Sequence, residues 1–239
     1  KAAAKAIKEK WPDCKIVFGG PQVPENPVVK GFFDENPYVD IVVNGEGERA
    51  FEDILLKIHN NEPIPQVVSL PRVDELHFPS PYLTGVFDKI IKDNPEFTWQ
   101  STIETNRGCP YQCTFCDWGS LTLSKIKKFP LERALAEIKW QSDHKIDYMF
   151  MCDSNFGIFY ERDKEIATYL NHLQVTTGFP KVALAQWAKN AKHQVLDVAK
   201  TFFSNHKNRG FTVSVQSLDD HVLTEIKRKN MDMSNLAAM

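Results

Sequence analysis

Three of the five cysteines fall within eight residues, at Cys109, Cys113 and Cys116. They sit in the run Asn106-Arg107-Gly108-Cys109-Pro110-Tyr111-Gln112-Cys113-Thr114-Phe115-Cys116-Asp117-Trp118-Gly119, with C-x3-C-x2-C spacing. A loop this short can aim three thiolates at one point, and Gly108 and Pro110 favour irregular backbone over helix. Thiolates so arranged bind a soft metal or an iron–sulfur cluster, because deprotonated sulfur is the preferred partner of such centres. A structural zinc site asks for four protein ligands, and this run offers three with no histidine nearby in sequence. A disulfide would leave one thiol over and would sit badly in a reducing cytosol. A four-iron cubane held at three corners leaves one iron open, and an open metal position is the catalytic kind.

The run resembles the signature of radical S-adenosylmethionine (SAM) enzymes, C-x3-C-x-aromatic-C, with Phe115 as the aromatic residue. The resemblance implies a 4Fe-4S cluster on Cys109, Cys113 and Cys116. Its open iron would bind the amino and carboxylate groups of SAM, and an electron from the cluster would cleave SAM to a 5′-deoxyadenosyl radical. Phe115 would lie against the adenine, unless it is simply a core aromatic. Asp153-Ser154-Asn155 stand where the family more often has Gly-Gly-Glu, the region that hydrogen-bonds the SAM amino group. Gln216 and Ser217 match a Q-S pair near the SAM ribose and carboxylate.

The elements that would position these residues follow a strand–helix rhythm. Residues Ala2 to Lys10 read as the end of an amphipathic helix, closed by Trp11-Pro12-Asp13. A strand Lys15–Phe18 leads into Gly19-Gly20-Pro21, and a strand Val39–Val43 into Asn44-Gly45-Glu46-Gly47-Glu48. A helix with Ala50, Phe51, Ile54, Leu55 and Ile58 on one face follows. This alternation predicts a parallel doubly wound sheet, with ligands beyond the carboxyl ends of its strands. The glycines there serve turn chemistry or close approach of a ligand. The pattern K-x-x-W-P…V-F-G-G-P…D-I-V-V-x-G-E-G-E resembles the last two strand units of the cobalamin-binding domain that precedes many radical SAM cores. By that resemblance Gly19, Gly20 and Gly45 line the pocket for the nucleotide tail. The cobalt-ligand motif D-x-H-x-x-G would lie upstream.

Residues 61–98 form a proline-rich connector whose Phe78-Pro79-Ser80-Pro81-Tyr82-Leu83-Thr84-Gly85 run resembles the linker of cobalamin-dependent radical SAM proteins. Its length exceeds an ordinary loop, so it is expected to pack rather than hang free. From Trp99 the rhythm resumes: strand Trp99–Thr105, helix Leu131–Gln141, strand Ile146–Cys152, helix Asp163–Val175, strand Lys181–Trp187, a helix bearing Val195 to Phe203, strand Phe211–Val215 and helix Asp219–Lys229. In parallel barrels functional groups gather at the carboxyl ends of the strands. Asp153-Ser154-Asn155, Lys189-Asn190 and Gln216-Ser217 hold that position. Cys14 and Cys152 read as buried small hydrophobes, and His59 and His77 as isolated histidines with no metal role.

The expected fold class is therefore α/β: the C-terminal half of a doubly wound cobalamin-binding domain (1–60), a linker (61–98) and a partial (βα)6 radical SAM barrel (99–239). The chain begins inside a helix-like run and ends after a partial unit, as a piece of a longer protein would. Its formal net charge of −2 gives no general pull toward nucleic acid or acidic membrane. It has no apolar run long enough to span a bilayer, and its cysteine usage fits a reducing cytoplasm. The cofactors implied by resemblance are the 4Fe-4S cluster, SAM and cobalamin. The implied partners are a reductant such as flavodoxin or ferredoxin and a small-molecule or peptide substrate. A second cofactor domain beside the barrel fits methyl transfer. Rearrangement or methylthiolation without methyl transfer from cobalamin, and an iron–sulfur electron carrier or sensor, are the alternatives. An electron carrier has no use for an open iron.

Overall fold

The computed structural model describes residues 1–24, 28–116, 125–188, 193–208, 210–212 and 214–230. The chain divides into two units, Lys1–Asp74 and Glu75–Met239.

The first unit runs α1 (Ala2–Lys10), β1 (Val17–Phe18), α2 (Val29–Glu35), β2 (Ile41–Asn44), α3 (Gly47–His59) and β3 (Val67–Ser69). Its sheet has the order β1-β2-β3 and is parallel throughout, with Val17 opposite Ile41 and Val43 opposite Val68. Central β2 is covered on both faces, which is why Ile41, Val42 and Val43 form an unbroken apolar run instead of alternating. Val42 faces Ile16, Val29, Phe32 and Val39, while Ile41 and Val43 face Ala50, Ile54 and Val68. Helices α2 and α3 thus pack on opposite faces. Asp40 pins the start of β1, accepting hydrogen bonds from the Ile16 amide at 2.7 Å and from Lys8 Nζ at 2.9 Å. On α3 only Ala50 and Ile54 are buried; Phe51, Leu55 and Ile58 remain substantially exposed. Ala50 and Ile54 lie one turn apart on the line that meets the sheet, and the other three sit around the cylinder from it.

The second unit runs α4 (Asp88–Asp93), β4 (Gln100–Ile103), β5 (Asn106–Arg107), β6 (Lys127–Lys128), α5 (Leu131–Asp143), β7 (Tyr148–Phe156), α6 (Tyr160–Thr176), β8 (Val182–Trp187), α7 (His193–Phe203) and α8 (Asp220–Glu225). Strands β4, β7 and β8 make a parallel sheet in the order β4-β7-β8. Met149, Met151, Ala183, Ala185 and Trp187 point to one face, where Ile138, Ile166, Leu170, Val198 and Phe202 from α5, α6 and α7 meet them. The other face leaves Gln100, Thr102, Tyr148 and Leu184 exposed and Phe150 and Cys152 half-buried. The segment before β4 packs within this unit: Tyr82 lies 4.9 Å from the Trp140 ring, and Trp140 Nε1 donates to Asp88 Oδ1 at 3.0 Å.

Several elements differ from the sequence expectation. Strand β7 continues through Asp153, Ser154 and Asn155, which were expected to follow it. Residues 211, 212, 214 and 215 form no strand, although Phe211–Val215 alternates like one. Asn208 Oδ1 accepts the Ala183 amide at 2.8 Å, taking a β8 edge donor that a further strand would have used. Helix α8 is shorter than expected. Asp219 Oδ1 caps its first amides at 2.8 and 3.0 Å, and Lys227 has φ 51°, a left-handed conformation that ends it. Cys14 is exposed in the turn before β1, and Cys152 is half-buried on the open sheet face, so neither is the buried hydrophobe expected. Among the described residues no helix is long and apolar enough to cross a membrane.

Candidate metal and cofactor site

The cysteine loop leaves and returns at one point. Strands β5 and β6 pair antiparallel, Asn106 opposite Lys128 and Arg107 opposite Lys127, and the Phe129 amide donates to the Thr105 carbonyl at 3.0 Å. Arg162 on α6 bridges both legs of this neck, donating to the Thr105 carbonyl at 3.2 Å and the Phe129 carbonyl at 2.9 Å. Immediately beyond it Gly108 has φ 107°, a backbone state that side chains rarely tolerate. Residues 117–124, with Asp117, Trp118 and Gly119 of the signature run, lie outside the described residues.

The end of β7 supports the loop from below. Its register against β8 shifts between Met151 and Phe156, and burial stops alternating there, so Asp153, Ser154 and Asn155 are all buried. An irregularity of this kind lets consecutive side chains turn to one side. Asp153 accepts from the Thr105 amide at 2.7 Å, the Asn106 amide at 3.1 Å, Asn106 Nδ2 at 2.8 Å and the Thr105 hydroxyl. Those four donors fill the lone-pair sites of one carboxylate. Burial nevertheless pushes its pKa up to about 6, against the lowering effect of the hydrogen bonds. Ser154 Oγ donates to the Gly108 carbonyl at 2.6 Å. Asn155 Nδ2 donates to Cys109 Sγ at 3.2 Å and to Ser154 Oγ at 3.0 Å, leaving Asn155 Oδ1 buried with no partner. This amide orientation is the one a sulfur acceptor requires.

The other side of the loop meets the chain after α8. The Thr114 amide donates to the Ile226 carbonyl at 3.2 Å. Arg228, buried, points an N–H to Cys113 Sγ at 3.9 Å and donates another to the Ser214 carbonyl at 2.8 Å. Tyr111 lies among these groups; burial and the nearby Cys109 and Cys113 raise its hydroxyl pKa, while Arg228 opposes the rise. Cys109 and Cys113 are buried and Cys116 is half-exposed.

No three His, Cys, Asp or Glu side chains among the described residues are gathered to hold a single metal ion. That bears on a mononuclear site, where bonds of about 2.3 Å draw sulfurs together around one centre. A cluster holds its thiolates on separate irons, further apart. The donor set fits the latter: three cysteines on one clamped loop, two of them receiving N–H groups that favour charged sulfur.

Of Asp153, Ser154 and Asn155, Asn155 alone hydrogen-bonds Cys109 directly, while Ser154 holds Gly108 and Asp153 holds Thr105 and Asn106 at the neck of the loop. Phe115 is 52% exposed, so it is not a core aromatic. Gln216 is exposed and Ser217 half-buried; they reach the cysteine side only indirectly, through Asn230 Nδ2 to the Ser217 carbonyl at 2.5 Å and Arg228 to Ser214. Lys189 and Asn190 lie outside the described residues. In the first unit, Gly19, Gly20 and Gly45 follow β1 and β2. Gly20 and Gly45 have φ of 84° and 87°, and a Cβ at either would meet nothing within 4 Å. At Gly19 a Cβ would make ordinary contact with Val43 at 3.6 Å. Open backbone there fits a ligand that approaches by shape. Sequence reasoning did not find Thr105, Arg162 or Arg228. Thr105 and Arg162 gave no signal, and Arg228 was hidden in a basic run, Lys227-Arg228-Lys229, that reads as solvated.

No known protein-family model matches the sequence. The chain is 39% identical over 252 residues to a 2-(S-pantetheinyl)-carbapenam-3-carboxylate methyltransferase of Streptantibioticus cattleyicolor, covering 97% of this chain and 36% of that protein. Identity and coverage are the same for the cobalamin-dependent radical SAM methyltransferase TokK of Streptomyces tokunonensis. The chain thus spans about a third of the length of these relatives. Among solved structures, the cobalamin-dependent S-adenosylmethionine radical enzyme OxsB with aqua-cobalamin and SAM bound superposes with a TM-score of 0.63 at 17% identity, covering 99% of this chain and 36% of that one. The methyltransferase TsrM from Kitasatospora setae, with cobalamin and a 4Fe-4S cluster bound, gives 0.60 at 15% identity, covering 96% and 48%. The fold is therefore that of the cobalamin-dependent radical SAM enzymes. The homologues of this chain are cobalamin-dependent radical SAM methyltransferases.

Proposed function

We propose that the protein is a cobalamin-dependent radical SAM methyltransferase acting on a small molecule, as the name of the carbapenam relative suggests for that protein. In this reading the first unit, expected from the sequence to end at residue 60 but extending through β3 to Asp74, is the second half of a doubly wound cobalamin-binding domain. The remainder of the expected 61–98 linker leads into a partial (βα)6 barrel over 99–239. The observation that carries the reading is the three-cysteine loop with Asn155 Nδ2 on Cys109 Sγ and a buried, unpartnered Asn155 Oδ1 beside it.

When bound, the cluster supplies the electron that cleaves SAM, and the corrinoid carries the methyl group. A flavodoxin- or ferredoxin-type reductant would deliver that electron. Cys109, Cys113 and Cys116 would hold the cluster, and with three protein thiolates one iron would stay open to SAM. Asp153 has no lone pair to spare and Ser154 Oγ already donates to Gly108 and accepts from Asn155 Nδ2, whereas Asn155 Oδ1 is buried with no partner, so in this reading it would accept from the SAM ammonium. Phe115 offers an exposed ring face to the adenine, while Gln216 and Ser217 serve the ribose and carboxylate. Bare backbone at Gly19, Gly20 and Gly45 would receive the corrinoid nucleotide. The open sheet face of Tyr148, Phe150 and Leu184 lines the barrel interior, where a dry wall protects a reactive radical from water.

The test uses the full-length protein, reconstituted anaerobically with iron, sulfide and cobalamin and given methyl-labelled SAM and a reductant. The label is expected on cobalamin, with 5′-deoxyadenosine formed only when a substrate is present or turnover is forced. Neither product, from protein with a full iron load, would refute the proposal.

A further inference from the structure

We infer that Asp163 on α6 is a positioning residue for the SAM site, holding the turn that sets the Asn155 amide against the cysteine loop. The inference rests on the functional reading above, in that Asn155 must meet SAM. Asp163 Oδ2 accepts the Gly157 amide at 2.8 Å and the Phe159 amide at 3.0 Å. Both amides belong to the turn that leads from β7 into α6. The turn closes back on Asn155 itself, whose carbonyl accepts the Ile158 amide at 3.2 Å. It has little freedom of its own: Gly157 has φ 92°, and a Cβ there would stand 3.1 Å from Val195 Cγ1.

The residue before Asp163 grips the other half of the site. Arg162 donates to the Thr105 and Phe129 carbonyls, one on each leg of the loop's neck. Adjacent positions on a helix rise by about 1.5 Å, so the two grips move together. Their base is firm, because α6 is 17 residues long and buries Ile166, Ala167 and Leu170 in the core. One turn of α6 thus sets the spacing between the segment that carries the cysteines and the segment that carries Asn155. The bond it keeps in register is Asn155 Nδ2 to Cys109 Sγ at 3.2 Å. Asp163 is fully buried, and burial pushes its pKa up to about 7. A single oxygen carries both amide bonds, so an asparagine oxygen can replace it without the charge. Asp163 itself need touch neither SAM nor the sulfurs.

Two measurements on reconstituted full-length protein test this. Equilibrium dialysis with labelled SAM reads affinity, and electron–nuclear double resonance reads the exchangeable proton that Asn155 places on Cys109. Asp163→Ala is expected to keep its iron, to weaken SAM binding roughly three- to tenfold and to shrink that proton coupling. Asp163→Asn is expected to restore both. A merely structural role would lower stability and move neither readout in the iron-loaded protein. Iron-loaded Asp163→Ala with wild-type affinity and coupling would overturn the inference. If Asp163→Ala takes up no iron, Gly157→Ala, which strains the same turn, decides. Weakened SAM binding at full iron load supports the positioning role; wild-type affinity, or failure to load, overturns it. Asn155→Ala with unchanged SAM affinity would instead sink the functional reading at this residue, so the two failures are distinguishable.

Discussion

The two units finish their strands in opposite ways. Beyond β1 and β2 the chain turns on Gly20 and Gly45, with positive φ and open space where a side chain would stand. The end of β7 instead carries three buried polar residues, each hydrogen-bonded toward the cysteine loop. Bare backbone accepts a large ligand by shape and tolerates small shifts. Side chains that have spent their hydrogen bonds on a loop fix where its sulfurs lie, and leave only chosen atoms free. The first arrangement suits a cofactor held over a wide surface, the second a centre whose reacting atoms must be placed closely.

The largest test of this contrast is Asp153→Ala. It strips the acceptor from two backbone amides, a hydroxyl and the Asn106 side chain. Unsatisfied buried donors cost about 1–3 kcal/mol each, so a loss of at least about 3 kcal/mol in urea unfolding is expected, with iron uptake collapsing. Normal iron content would mean that the loop is supported elsewhere. Asn155→Ala should act more narrowly. Iron content stays near wild type, while SAM affinity falls roughly ten- to hundredfold, the worth of one hydrogen bond to a charged group. Equilibrium dialysis with labelled SAM reads this, and unchanged affinity would remove Asn155 from the SAM site.

In the first unit, Gly20→Val and Gly45→Val must adopt a conformation costing about 1–2 kcal/mol and would fill the open backbone. Weaker corrinoid retention on gel filtration is expected, with iron and SAM binding intact. Corrinoid retained as in wild type would break the comparison on that side. The smallest effect concerns Asp163, which accepts the Gly157 and Phe159 amides beneath the β7 end. Burial raises its pKa to about 7 and that of Asp153 to about 6, from 3.8. The folded protein thus keeps protons that the unfolded chain releases. This contribution is full below about pH 4 and is lost as pH rises through about 6 and 7. Between about pH 6 and 8 the iron-free protein should lose on the order of 1 kcal/mol, and Asp163→Asn should flatten that slope. A wild-type slope in the variant would assign the pH dependence to other groups.

The parts legible in the sequence were those written in residue type and spacing. The cysteine run, the β-branched run of β2, the glycines after β1 and β2, and the Asp153-Ser154-Asn155 cluster all announce themselves locally. Strand β3 did not, because Val67-Val68-Ser69 is too short to show a period amid prolines. The turning of Asp153 to Asn155 toward the loop comes from a register shift against β8, which exists only once the two strands pair. Residues 211–215 misled for the converse reason: their alternation is real, but a side chain, Asn208, had already taken a β8 edge amide. Arg228 is a tertiary fact, a cation buried by the loop it faces.

The central claim is an open iron on the three-cysteine loop, and iron stoichiometry with SAM as a probe tests it most directly. Anaerobically reconstituted full-length protein is expected to carry about four irons and four sulfides per chain. SAM is expected to perturb the electron spin resonance signal of the reduced cluster, and Cys113→Ala to abolish iron uptake while Cys14→Ala leaves it intact. One tightly bound zinc per chain, or a four-iron cluster whose signal SAM leaves untouched, would contradict the account.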